Sequence, residues 1–340
     1  MKFKKTTAVL AAAALALLGA CSDPAATDDP TDNNTGGGAL NITILPKNLG
    51  NPYFDTSTKG AQAAAAEIGA TAQEVGPAAG SVDGQVPYIE TATQQRVSAI
   101  EIAANDPTAM CDSINAARAA GVKVVTFDSD APGCRDLFIN QAEADGIAKV
   151  LVEMVADQIG DAGQIAILSA TANATNQNAW IELMEADLAA NHPNIELVKI
   201  AYGDDDDQKS YDETAALIQA YPELKGIVAP TTAGIQAAAR YLSTSQAKGQ
   251  VVLTGLGTPD TMRNYVQDGT VQEFALWNPE DLGYLTTYAV QALVDGTITG
   301  AQGDTFQAGK LGPFTVGPDS TVLLGDPYRF NADNIGNFHF

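Results

Sequence analysis

The residues of this chain that could carry chemistry are two histidines, three cysteines and a run of four aspartates. Acid–base catalysis needs a titratable group held within reach of the proton it moves. His192 precedes Pro193 at the end of a helical stretch and His339 is the penultimate residue, so neither suits that role. Asp204, Asp205, Asp206 and Asp207 are consecutive; adjacent carboxylates point different ways, and the spacing of a calcium loop is missing. That run reads as a solvated loop. No G-x-S-x-G elbow, phosphate-binding P-loop or H-E-x-x-H helix occurs. The chain reads as a binder rather than an enzyme, with no metal and no cofactor.

The elements that would position a ligand are plainer. β-branched runs at 40–45, 99–104, 122–128, 164–170, 196–202, 224–230 and 250–256 lead, respectively, into helical runs at 56–68, 108–119, 144–159, 178–190, 211–220, 234–242 and 260–267. Such alternation predicts an α/β fold with parallel sheets covered by helices on both faces. Polar or turn-forming clusters follow the strands: PKNLGNPYFD, DSDAPGC, ATANATNQN, PTTAG and GTPDT. In open α/β sheets the ligand crevice lies beyond the carboxyl ends of the strands. Both halves carry such clusters, which predicts a cleft between two lobes that hinge closed on a small solute.

The start of the chain predicts where it works. Lys2, Lys4 and Lys5 precede an apolar run at 8–18, followed by LLGAC at 17–21. A basic start, a short apolar segment and small residues before a cut make an export signal. The run is well short of the roughly 20 residues that span a bilayer. Cys21 after Gly19 and Ala20 resembles the lipobox of bacterial lipoproteins. That resemblance implies a signal peptide over 1–20, cleavage before Cys21 and lipid on its sulfur. The stretch 21–39 holds Asp23, Asp28, Asp29 and Asp32, and no large apolar side chain occurs between Ser22 and Gly38, so it reads as a disordered acidic tether. Two or more acyl chains make a stable attachment. The membrane contact would be this lipid alone, on the outer face of the cell membrane.

The formal net charge is −23, and −26 after loss of residues 1–20, which carry three lysines and no acids. Nucleic-acid binding needs a basic face, and anionic ligands are disfavoured; a neutral or cationic ligand fits better. With Cys21 lipidated, Cys111 and Cys134 remain as an even pair in an oxidising compartment, which favours a disulfide over two free thiols. It would close a loop of about 24 residues, roughly 3 kcal/mol in the chain-entropy picture.

Longer pieces point to a family. NPYFD (51–55), TFDSD (126–130) and GTP (257–259) resemble the sugar-binding proteins of bacterial ABC importers, the ribose-binding class. ATANATNQNAW (170–180), GDDDDQKSYDE (203–213), APTT (229–232), TGLGTP (254–259) and FALWNPEDLGYL (274–285) look like the rhamnose-binding lipoproteins, and more distantly the autoinducer-2-binding proteins. The similarity runs from about Leu40 to the C-terminus. It implies a type I periplasmic binding protein: two Rossmann-like lobes joined by a three-strand hinge. One lobe would span 40–141 plus 278–309, the other 142–277 plus 310–340. A monomer would close on L-rhamnose or a similar deoxysugar and present it to permease subunits.

On this resemblance Asp128, ending the VVTF strand, would accept bonds from adjacent sugar hydroxyls, with Asp130 beside it; charge-assisted bonds of this kind are about twice as strong as neutral ones. Lys47 would donate to a ring or hydroxyl oxygen, and the autoinducer-2 family has a lysine in the matching place. Asn176, Gln177 and Asn278 are amides that both donate and accept, as hydroxyls do. Asn51, Pro230 and Thr232 complete the expected contacts. Tyr53, Phe54 and Trp277 would pack on the apolar face of a sugar and on a deoxysugar methyl. Where Asn176 and Asn278 stand, the autoinducer-2 proteins resemble Asp, and where Thr232 stands, Ala; these departures favour rhamnose. Cys111 and Cys134 match a cysteine pair of some autoinducer-2 receptors, which keeps that reading open; a sensory subunit that reports a sugar to a membrane kinase is a further alternative, because the sequence does not separate transport from sensing. Mass spectrometry of the non-reduced mature protein is expected to show Cys111 linked to Cys134; two free thiols would defeat the pairing.

Overall fold

The computed structural model describes residues 39–340; Cys21, the signal peptide and nearly all of the tether lie outside the described residues. The first half of the chain gives β1 (Asn41–Leu45), α1 (Pro52–Glu67), β2 (Thr71–Glu74), α2 (Val82–Gln95), β3 (Ala99–Ile102), α3 (Cys111–Ala119), β4 (Lys123–Phe127) and β5 (Leu137–Asn140). Next come α4 (Ala144–Ile159), β6 (Gly163–Ser169), α5 (Thr175–Asn191), β7 (Ile195–Tyr202), α6 (Asp207–Ala220), β8 (Leu224–Ala229), α7 (Thr232–Thr244), β9 (Val252–Gly255), α8 (Pro259–Gln267) and β10 (Glu273–Leu276). The chain ends with α9 (Pro279–Val294), β11 (Thr305–Gln307), β12 (Pro313–Thr315), β13 (Thr321–Leu323) and β14 (Tyr328–Asn331).

Two parallel sheets organise these elements, one per lobe. The first has the order β13-β5-β4-β3-β1-β2 and the second β7-β6-β8-β9. A bridge from Leu256 to Ala275 continues the second sheet to β10, on which β14 lies antiparallel. Strands buried on both faces read as near-continuous apolar runs, as in IAIL of β6 and IVA of β8. Helices α1 and α9 cover one face of the first sheet, with α2 and α3 on the other. Helices α4 and α5 cover one face of the second, with α6 and α7 opposite.

The chain passes between the sheets three times, at 140–144, 276–279 and 323–328. The third crossing corrects the expected division. Residues 310–340 do not all belong with the second lobe, because Thr321, Val322 and Leu323 pair in parallel with Phe138, Ile139 and Asn140 and form the edge of the first sheet. Only β14 and the residues after it join the second. Three apolar or β-branched residues are too short a run to announce a strand by their own pattern.

Helix starts set the site. Asn51 caps α1 through its side-chain oxygen, which accepts from the Tyr53 amide at 3.1 Å, with Pro52 in the first turn. The helix therefore begins four residues before the expected run at 56–68 and carries Tyr53 and Phe54 in its first turn. Asn278 caps α9 in the same way before Pro279. The two helices meet backbone to backbone: a Cβ at Gly60 would stand 1.8 Å from the Glu280 carbonyl oxygen, and one at Gly283 1.9 Å from that of Ser57. Cys111 and Cys134 are joined as a disulfide, with Cα atoms 5.4 Å apart.

One strand residue breaks the apolar rule. Glu101 on β3 is 1 % exposed and takes a 2.8 Å hydrogen bond from the Thr287 hydroxyl on α9. Burial pushes its carboxyl up to about 8, with the Thr287 bond opposing. Folding raises this pKa, so its stabilising share is complete below about pH 4.5 and is lost as the pH rises through about 8. Glu101→Gln is expected to flatten that fall: urea unfolding at pH 5 and pH 8.5 should differ less in the variant than in the parent.

Candidate ligand-binding cleft

The carboxyl ends of the parallel strands of both lobes converge on one cleft. Lys47 follows β1, Asp128 follows β4, Asn176 and Gln177 open α5 after β6, and Pro230, Thr231 and Thr232 follow β8. Leu256 follows β9, Leu276 ends β10 and Trp277 follows it. With Asn51, Tyr53, Phe54, Trp180 and Asp205 they line a space of about 360 Å³ that includes its open mouth.

At the centre is a buried ion pair. The Lys47 ammonium lies 3.3 Å from Asp128, both side chains 7 % exposed. Asp128 has φ 59°, in the left-handed region, where the backbone turns out of the strand. Its Oδ1 accepts from the Tyr53 hydroxyl at 2.9 Å, and that hydroxyl accepts from Trp277 Nε1 at 2.8 Å. Burial, then the Asp128 carboxylate, push the Tyr53 hydroxyl well above its ordinary pKa, so it stays a donor. The lobes also touch directly here. Lys47 donates to Asn176 Oδ1 at 3.2 Å, while the Asn176 amide nitrogen faces Asp128 Oδ2 at 3.4 Å. Gln177 turns its oxygen inward to Ser169 Oγ and the Ala170 amide, each at 2.7 Å, so it braces the turn after β6.

An aromatic wall closes one side. The Tyr53 ring meets Phe54 edge-on at 5.1 Å and Trp277 at 6.2 Å, and Trp277 meets Trp180 at 6.0 Å. These rings are buried and still line the cleft. The same rings therefore fill the core and form the surface of the cleft.

Two expected site residues lie elsewhere. Asp130 does not reach the cleft: its carboxylate is held by Arg135 Nε at 3.0 Å and Nη2 at 2.9 Å, by the Ala131 amide and by the Thr126 hydroxyl. Asn278 is spent on capping α9 and on Asp281, and it faces a separate pocket behind Trp277. The other ten named positions line the cleft together.

The aspartate run also needs correcting. Asp204 pairs with Lys209, Asp206 caps α6 and Asp207 pairs with Arg240, as solvated residues do. Asp205 instead turns into the cleft and takes the Thr231 hydroxyl. Burial pushes its carboxyl up, opposed by the Lys47 ammonium and the Thr231 hydroxyl. Four identical neighbours gave no signal of which one turns inward; the left-handed φ of Asp204 and Asp205 does that. Trp180, also unassigned by the sequence, sits one turn after Asn176 in α5, at helical spacing from a site residue. His192 pairs with Asp161 and His339 lies near Arg263 and Asp260; neither lines the cleft. Among the described residues no cluster of three metal-ligating side chains occurs.

The arrangement can hold a small polyhydroxylated molecule: a carboxylate and an ammonium for hydroxyls, an amide on the facing lobe, and an aromatic wall for an apolar face. It offers no activated nucleophile among its lining residues. The family of the periplasmic binding protein domain matches residues 42–298. A sugar ABC transporter structure from Actinomyces odontolyticus is 53 % identical, covering 88 % of this chain and 98 % of that one, with a TM-score of 0.72. An ABC transporter solute-binding protein from Clostridium phytofermentas with bound L-rhamnose is 35 % identical, with coverages of 88 % and 98 % and a TM-score of 0.86. A protein from Clostridium saccharobutylicum in complex with AI-2 is 26 % identical, with coverages of 88 % and 100 % and a TM-score of 0.83.

Tyr53→Phe removes the hydroxyl that joins Trp277 to Asp128. It is expected to destabilise the protein by about 1–3 kcal/mol, since two buried polar groups each lose a partner. Urea unfolding followed by tryptophan fluorescence measures this.

Proposed function

This chain belongs to the periplasmic binding protein domain family, and we propose that within it the protein is an extracytoplasmic receptor that delivers L-rhamnose to an ABC importer. Its homologues are substrate-binding proteins of ABC transporters, not enzymes. The observation that carries the sugar reading is the convergence of Lys47, Asp128 and Asn176 from opposite lobes beside the Tyr53, Phe54 and Trp277 wall. Hydroxyls of one sugar face would bond to these groups while the opposite C–H face and the deoxysugar methyl pack on the rings.

Rhamnose is favoured over other sugars by the L-rhamnose-bound relative at 35 % identity and by the amide at Asn176. An amide can donate to the ligand, whereas a carboxylate only accepts. A methyl pocket discriminates by only about 1–3 kcal/mol, and unpaired polar groups reject wrong ligands more strongly. Selectivity therefore rests mainly on Asp128 and Asn176. A second reading, an autoinducer-2 receptor, is supported by the AI-2 complex with its TM-score of 0.83. Anchoring would be through lipid on Cys21, and the delivering form would be the closed monomer docked on permease subunits.

Titration calorimetry of the purified protein with L-rhamnose, ribose and autoinducer-2 in parallel tests this. Rhamnose is expected to bind most tightly, and Asp128→Ala to weaken it at least about tenfold through loss of a charge-assisted bond. Binding of autoinducer-2 alone would move the protein from nutrient uptake to signalling, and an unchanged affinity in the variant would remove Asp128 from the site.

A further inference from the structure

The turn that presents Asp128 is bracketed by two residues outside the cleft. Thr126 lies two positions before it on β4, and Asp130 two positions after it. The Thr126 hydroxyl donates to Asp130 Oδ1, closing a five-residue loop around the left-handed Asp128. That backbone conformation is unfavourable for a residue with a Cβ, and it persists only where the surroundings over-determine it.

Asp130 is the hub of those surroundings. Besides Thr126 it accepts from the Ala131 amide at 2.8 Å and from two nitrogens of Arg135. The Arg135 side chain is 8 % exposed and that of Asp130 13 %. A buried ion pair is weak evidence of stabilisation, because desolvation offsets its attraction; where such pairs are useful it is in fixing one geometry. Further contacts hold this loop and the connection that runs from it to β5. The Cys111–Cys134 disulfide ties the connection to α3, Arg118 donates to the Cys134 carbonyl, and within the loop Ser129 bonds in both directions with Ala104.

We infer that Asp130 is a positioning residue: its carboxylate, gripped by Thr126 and Arg135, holds the Asp128 turn so that the Asp128 carboxylate meets the ligand preformed. The inference rests on the sugar-receptor reading and assigns Asp130 no contact with the sugar. A preformed carboxylate loses little freedom on binding, so loosening the bracket weakens affinity through Asp128 alone.

A double-mutant cycle read by calorimetry with L-rhamnose tests this. Asp130→Asn is expected to weaken binding about tenfold in the parent protein, yet to change it by no more than about twofold in an Asp128→Ala background. Thr126→Val leaves the ion pair intact and carries the same test if Asp130→Asn does not fold; its effect, about threefold, should likewise vanish without Asp128. Losses that add to that of Asp128→Ala, or an affinity unchanged by both bracket variants, overturn the inference while leaving the receptor reading standing. A parent protein that binds none of L-rhamnose, ribose and autoinducer-2 overturns both.

Discussion

A lysine and an aspartate withdrawn together from water constrain the rest of the structure. The desolvation of such a pair is offset only if the remaining donors and acceptors find partners. Lys47 finds Asn176 on the other lobe, and Asp128 finds Tyr53, which in turn holds Trp277 at the end of β10. One ion pair thereby connects β1, β4, α1, α5 and β10. It also ties the two lobes at the cleft, so the groups that join the lobes are the ones that line it.

The packing of α1 against α9 sets the frame for that site. Backbone contact at Gly60 and Gly283 fixes the two helices side by side, and both begin with an Asn-Pro pair whose asparagine caps the helix. Their first turns place Tyr53 and Phe54 at the cleft and Asn278 at the crossing that leads back from the second lobe. Side chains of identical type in matching helix caps thus serve different ends: Asn51 lines the cleft, while Asn278 faces the pocket on the far side of Trp277.

Much of this was legible in the residues. The β-branched runs and the helical runs between them located the long parallel strands and most helices, because strands buried on both faces cannot conceal their apolar character. The polar clusters at strand ends located most of the cleft, because parallel sheets put those ends on one side. The features that stayed hidden did so for physical reasons. β2 is a short strand of alternating exposure, α2 carries Pro87 within it, and β13 has three residues; none makes a strong local pattern. Asp130, Asn278 and Asp205 were misplaced because a carboxylate or an amide next to a strand end can face a ligand, a cap or an arginine. Only Arg135, Asp281 and Thr231, brought close by the fold, decide among these.

The last crossing between the lobes bears on the order in which this molecule can be assembled. β13 supplies the edge of the first sheet and β14 lies on β10 of the second, so residues 321–331 complete both. Neither lobe can reach its final form while that stretch is still to be synthesised. Pairings between residues so far apart in sequence form slowly. Both lobes therefore stay unfinished until residues 321–331 are in place, so the completion of each waits on the same short stretch of chain.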